Sequence, residues 1–397
     1  MTTAGASAAP QPVMLQPITL ARIELFLYRA SIKEPIVTSF GSIPARVVLL
    51  VRVEDRDGAH GWGEVWANFP PHGAEHKLQL IEDIIAPATF GRTYAGPEAF
   101  WLDLTARMRR NVIQSAEPGN FAAAIAGIDV ALWDLAARRA GVPLWRAFGR
   151  AEAPVPLRAY ASNLNPKGAP EYVDACRQRG YRAFKMKVGF ELKSDLENVR
   201  RICAQLKPGE RFMIDANQGW DRAAARTAVG AFSDYPLDWI EEPICADEPA
   251  EHWAELAMIS KVPLAGGENL MGFPAFDQAI NSGHLGVIQP DICKWGGLSA
   301  CRMVARRAVA AGLRYCPHWL NSGIGLLAAA HLLSATGGTG MLEHDAMENP
   351  LQSVLGEPFP PLIDGFFSLP VDRPGLGVAP DLAAARGLLV ERREIKG

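Results

Sequence analysis

Lysine and arginine are nowhere concentrated in this 397-residue chain, and 40 basic against 43 acidic residues leave a net charge of −3. That balance provides no basic face for nucleic acid or anionic lipid. Cysteine is sparse: six residues are scattered without a C-x-x-C spacing, which encodes neither a disulfide framework nor a thiolate metal site and suits a reducing cytoplasm. No run reaches the roughly 18 uninterrupted apolar residues of a membrane span. Residues 1–16, rich in Ala, Pro, Thr and Ser, lack the basic start and apolar core of a secretory signal and read as a loose tail. What is present is a hydrophobic fraction of 49%, in a chain longer than one core usually serves. One large and one smaller domain are expected, with a small soluble molecule as the partner.

Residues 17–155 read as an α+β unit. Segments 20–28, 47–54 and 61–65 alternate as strands around the Asp57-Gly58 turn, and segments 76–104 and 121–140 carry helical apolar spacing, with Ile125, Ile128, Ala131, Leu132 and Leu135 on one face. From about residue 156 to 350 strand and helix patterns alternate. Strands are expected at 157–162, 183–188, 212–215, 237–241, 264–268, 286–289, 313–317 and 341–343, with helices such as 195–206, 222–232, 249–259 and 299–311 between them. Eight such units predict a (β/α)8 barrel of TIM type, whose chemistry sits at the C-terminal strand ends. Residues 351–397 turn Pro- and Gly-rich and are expected to fold back on the first unit.

Three acidic residues each end an apolar run. Asp215, Glu241 and Glu268 lie 26 and 27 positions apart, one strand, one helix and two loops per step. Successive barrel strands would aim these carboxylates at one point, where they repel unless a hard divalent cation neutralises them, and oxygen-only ligands suit Mg2+ or Mn2+. One strand earlier, Lys185 and Lys187 share a face because strand side chains alternate. Two adjacent ammonium groups depress each other's pKa, which suits a base; a solvated pair at a strand end is the structural alternative. Beyond the acids, Asp291 and His318 end the sixth and seventh runs and can pair as a carboxylate that orients an imidazole, where each alone would be an N-cap and a core histidine. Lys294 is either a cation at the rim or a surface lysine, and Glu343 ends the eighth strand.

In chain order, Lys-x-Lys (185–187), Asp-x-Asn (215–217), Ile-Glu-Glu-Pro (240–243), Gly-Glu-Asn (267–269), Gln-Pro-Asp (289–291), Pro-His (317–318) and Leu-Glu (342–343) resemble the enolase superfamily, specifically its mandelate racemase subgroup. Residues 124–134, Ala-Ile-Ala-Gly-Ile-Asp-Val-Ala-Leu-Trp-Asp, are similar to that family's capping-domain helix. The resemblance implies a modified barrel under an α+β cap built from the N-terminal segment and the C-terminal tail. It implies one Mg2+ per subunit, with Mn2+ as a substitute, on Asp215, Glu241 and Glu268. Lys187 would be the base on one face of the substrate's α-carbon, and His318, paired with Asp291, would serve the other. Lys185, Ser162 and Asn217 would lie around the substrate carboxylate and the metal, and Glu343 would donate a hydrogen bond to the intermediate. A symmetric homo-oligomer, dimer or octamer, is implied by the same analogy.

The chemistry that follows is removal of a proton α to a carboxylate through an enediolate. The main expectation is dehydration of an acid sugar to a 2-keto-3-deoxy acid. Racemisation or epimerisation, and cycloisomerisation of a hydroxy acid or its lactone, remain open, as do a metal-dependent hydrolase and a barrel that only binds ligand. Two specificity loops are expected near 35–44 and 65–76. Neither is expected to contribute a cation beyond His72 and His76, which argues against a diacid, because a distal carboxylate is usually met by Arg or Lys. Trp66, Phe69 and Trp319 are candidates for an apolar or sugar-stacking wall, or simple packing.

Overall fold

The computed structural model describes residues 13–150, 152, 154–320 and 322–397. Most of the expected N-terminal tail, and Asn321, lie outside the described residues.

The N-terminal strands Ile18–Thr38, Gly41–Asp55 and His60–Val65 form an antiparallel meander, and the C-terminal strand Leu389–Lys396 adds antiparallel to the first, with Leu25 opposite Arg393. Segment 35–44, expected as a loop, is the tip of the first hairpin: Ile36 faces Ile43 and Thr38 faces Gly41 across the turn. Its β-branched residues favour strand, and burial alternates, with Ile36 and Thr38 in and Val37 out. The helical stretch expected at 76–104 is broken. A helix Gly73–Leu80 passes through a π turn, Ile81–Ile85, and a short helix Ala86–Thr89, and a new helix runs Pro97–Ser115. Phe90 turns extended three residues after Pro87, and Pro97 opens the next helix at its first turn.

Eight parallel strands follow: Leu157–Leu164, Ala183–Lys187, Arg211–Asp215, Ile240–Glu241, Leu264–Gly266, Val287–Ile288, Arg314–Tyr315 and Leu342–Asp345. The first seven pair in succession, and the eighth pairs with the first. The expected closed barrel is not complete, because among the described residues no backbone ladder joins the seventh strand to the eighth. These two strands are short, and the Met341 amide there donates to Cys316 Sγ at 3.2 Å. Tyr160, Ala183, Met213, Trp239, Ala265, Val287, Cys316 and Met341, one from each strand or its flank, still form one buried inner layer, separate from the outer core.

The 22-residue helix Pro118–Arg139 is long and apolar enough to cross a membrane by length and composition, but 89% of that window is buried inside the protein. It packs on the third N-terminal strand. Its two acids, Asp129 and Asp134, are fully buried and both cross-link the fold. Asp129 accepts from the Ser299 amide at 3.0 Å and from Ser299 Oγ at 2.5 Å, at the start of helix Gly297–Ala310. Asp134 accepts from the amides of Trp62 at 2.9 Å and Leu376 at 2.7 Å and from Arg138 at 2.7 Å. Opposite the helix only glycine fits: a Cβ on Gly63 would lie 2.0 Å from the Gly127 carbonyl oxygen and 2.7 Å from the Ala131 nitrogen. Gly63→Ala therefore forces the helix off the strand, and a loss of about 1–3 kcal/mol is expected. Urea denaturation at an unchanged m-value checks it; an unshifted midpoint would show that the packing yields.

Candidate active site

Parallel register sets the site. Lys187 lies opposite Asp215 and Asp215 opposite Glu241, so three strand ends present a lysine and two carboxylates side by side. Alternation turns Trp239 and Glu241 inward. Glu242 faces away, where the Asn269 amide donates to both its oxygens at 2.8 and 3.0 Å. Lys185 Nζ sits 2.5 Å from Glu241, 2.9 Å from Glu343 and 3.6 Å from Asp215. Burial alone would lower the Lys185 pKa, but Glu241 and Glu343 hold it well above the ordinary value, the opposite of the depression expected from an adjacent ammonium. Lys187 Nζ lies 2.7 Å from Asp215. Burial and the neighbouring Asp215 push Glu241 up to about 7; its second oxygen accepts from Trp239 Nε1 at 2.9 Å and Gln289 Nε2 at 2.7 Å. Asn217 donates to Asp215 through its amide at 2.9 Å and its side chain at 3.2 Å, and its own buried Oδ1 has no partner.

Across the mouth, His318 Nδ1 is 2.7 Å from Asp291 and Nε2 is 3.1 Å from Glu268. The other oxygen of Asp291 accepts from the amides of Cys293 at 2.7 Å and Lys294 at 3.1 Å, so the turn-capping role and the histidine-orienting role are both filled, one per oxygen. Burial would lower the His318 pKa, yet Glu268, Glu343 and Asp291 raise it to about 9. Lys294 Nζ reaches Glu268 at 3.2 Å and Asn269 Oδ1 at 2.7 Å and lies over the Trp66 ring at 4.7 Å. Trp66 in turn packs edge-on to His318 at 5.7 Å.

A cavity of about 390 Å³ opens above these groups, lined among others by Lys187, Asn217, Glu268, Lys294, His318 and Trp66. Asp215, Glu241, Lys185, Asp291 and Glu343 are buried and not on its wall. Two expected contacts are not on its wall. Trp319 is buried, its amide donating to Glu343 at 3.2 Å, and Ser162 is fully buried, its hydroxyl accepting from Asn163 at 3.2 Å. Asn163, the next residue, lines the cavity instead. The N-terminal segment contributes Thr38, Phe40, Ile43, Phe69, Lys77 and Asn120. Of the histidines expected there, His72 is exposed and His76 is taken by Glu117 at 2.5 Å. The cation that does reach the cavity is Lys77. It sits on the buried face of helix Gly73–Leu80 with Ala74 and Leu78, and a lysine at that helical spacing was a legible signal.

As they stand, the carboxylates are turned onto protein cations, and among the described residues no three His, Cys, Asp or Glu side chains converge as a ready ligand set. The donor chemistry still fits a hard ion. Asp215, Glu241 and Glu268 supply only oxygen, end neighbouring strands, and adjoin the unpartnered Asn217 Oδ1.

Comparison with known proteins agrees. Residues 22–149 match the mandelate racemase/muconate lactonizing enzyme N-terminal domain, and residues 169–385 match the enolase C-terminal domain-like model. A mandelate racemase/muconate lactonizing enzyme from Bordetella bronchiseptica RB50 superposes at TM-score 0.86, with 46% identity over 94% of this chain and 99% of that one. A 3,6-anhydro-alpha-L-galactonate cycloisomerase from Streptomyces coelicolor is 31% identical over 91% of this chain and 97% of its own length. A D-galactarolactone cycloisomerase from Agrobacterium fabrum is 29% identical over 91% and 96%. Over a shorter stretch, an L-talarate/galactarate dehydratase from Salmonella typhimurium is 33% identical over 77% of this chain and 74% of its own length. A Streptomyces coelicolor racemase solved with bound magnesium superposes at TM-score 0.82, with 29% identity over 94% of this chain and 100% of that one. The chain belongs to the mandelate racemase/muconate lactonizing enzyme family of the enolase superfamily. It is an enzyme of that superfamily, whose homologues here are acid-sugar cycloisomerases, a dehydratase and racemases.

The loop after His318 is held from the N-terminal side. Glu64, fully buried, accepts from the Ser322 amide at 3.0 Å, Ser322 Oγ at 2.6 Å and the Gly325 amide at 2.9 Å, at the start of helix Gly323–Thr336. Glu64→Gln turns an amide NH2 toward these donors, and leaving one unsatisfied is expected to cost about 1–3 kcal/mol. Urea denaturation checks this; a midpoint equal to that of the unaltered protein would show that the contact carries no stability.

Proposed function

We propose that the chain abstracts the proton α to the carboxylate of an acid sugar and expels the β-oxygen, most simply as a dehydratase giving a 2-keto-3-deoxy acid. The observation that carries this is the placement of Lys187 and His318 on one cavity, from the second and seventh strands, on either side of the acidic cluster. Asp215, Glu241 and Glu268 would hold Mg2+, with Mn2+ as a substitute. When bound, the ion neutralises the negative charge that proton removal places on the substrate carboxylate.

The residues then divide the work. Lys187 takes the α-proton, its Nζ placed by Asp215. Lys185, its Nζ 2.9 Å from Glu343, stabilises the enediolate oxygens. Asp291 orients His318 so that Nε2 faces the cavity, and the imidazolium gives its proton to the departing β-oxygen. The same steps open a ring when that oxygen belongs to a lactone, and the two full-length cycloisomerase relatives favour this second reading.

In D2O, Lys187→Ala is expected to lose both turnover and α-deuterium incorporation, by a factor of about 10²–10⁴. His318→Asn is expected to lose turnover while keeping exchange at the α-carbon. NMR of recovered substrate and product reads both, and a normal rate in either variant contradicts the two-group assignment. Supplying free acids beside their lactones distinguishes dehydration from ring opening.

A further inference from the structure

We propose that Lys77 reads the far end of the substrate and that this end is a second carboxylate, so that the acid sugar is a dicarboxylate. The inference rests on the acid-sugar reading above and names its substrate class. Four Lys or Arg residues are buried among the described residues: Arg46, Lys77, Lys185 and Lys187. Three of them sit on carboxylates, Arg46 on Asp345 at 2.7 Å, Lys185 on Glu241 at 2.5 Å and Lys187 on Asp215 at 2.7 Å. Lys77 has none: its Nζ donates to the Phe69 carbonyl at 3.1 Å, and the one charged group that acts on it is another cation, Lys294.

A buried ammonium held by one neutral acceptor and facing a like charge is costly unless an anion completes it. Lys77 is only 2% exposed, yet it lines the cavity that holds Lys187 and His318. It comes from helix Gly73–Leu80 of the N-terminal segment, whereas Lys187 and His318 come from the strand ends. A substrate whose α-carboxylate lies among the acids and lysines of the strand ends therefore extends toward Lys77, with Asn120 on the same side of the wall and the Phe40–Phe69 pair, 5.2 Å between ring centres, as an apolar flank. A brace for the Phe69 carbonyl alone would need only a neutral donor. A buried ammonium whose pKa burial and Lys294 push down to about 8, with no anion beside it, fits a charged ligand group.

The test compares kcat/KM for a six-carbon sugar diacid with that for the monoacid of the same configuration, in unaltered protein and in Lys77→Met, with folding followed by thermal melting. The unaltered protein is expected to prefer the diacid by about 30-fold or more. In Lys77→Met the diacid's kcat/KM falls, the monoacid's does not fall with it, and the preference shrinks to about threefold or less. Equal use of both acids by the unaltered protein overturns the assignment without any variant, as does a uniform fall for both acids in Lys77→Met or Lys77→Gln. Deuterium exchange at the α-carbon separates the two levels. Exchange with monoacid and diacid alike, at equal efficiency, removes Lys77 from specificity and leaves the reaction class standing. Absence of exchange with any acid removes both.

Discussion

Charge compensation at the C-terminal mouth of the parallel sheet is the constraint on which the rest depends. Asp215, Glu241, Glu268, Asp291 and Glu343 face Lys185, Lys187, Lys294 and His318 through contacts of 2.5–3.6 Å. The acids exceed the cations by one. A buried charge without a partner is far costlier than a buried pair gains, so every side chain here is fixed by its neighbours. On our proposal a divalent ion and the substrate carboxylate both enter this acid-rich cluster, which makes binding of the two interdependent. Lys77 stands outside that balance, which is why a second anion suits it.

The mouth keeps its shape because the N-terminal segment is bolted to the helices around the sheet. Glu64 and Asp129 each meet the start of a helix, the one after His318 and the one after Asp291 respectively, where amides lack partners within the helix and the helix dipole favours a carboxylate. The Trp66 amide donates to the Cys293 carbonyl at 3.1 Å, and Asn68 donates to Leu320 at 2.9 Å. The segment that forms the cavity wall is thereby held to the loops carrying Asp291 and His318. Gly61 and Gly63 let the central helix approach closely enough for these bonds to form.

Much of this was legible in the residues, for a physical reason. Parallel strands buried on both faces read as short apolar runs, and a polar residue ending such a run has only the mouth to point into; Asp215, Glu241, Glu268, Lys187 and His318 all end such runs. Peripheral features were less legible. The hairpin tip at 35–44 contains Pro35, Gly41 and Pro44 and reads as loop, although cross-strand pairing makes it sheet. Lys77 lies just past the 65–76 loop, and its burial comes from the helical face it shares with Ala74 and Leu78. Trp319 and Ser162 adjoin strand ends but turn under the cavity floor, a distinction of one residue that spacing does not resolve. Closure between the seventh and eighth strands depends on ladder geometry, which no motif records.

The most direct test of the central claim is to count metal. Equilibrium dialysis against Mn2+, with bound ion read by electron paramagnetic resonance, is predicted to give one saturable site per chain that Mg2+ displaces and that Glu241→Gln or Asp215→Asn abolishes while the fold persists. No saturable site in the unaltered protein, or a full ion retained by both variants, would contradict the account.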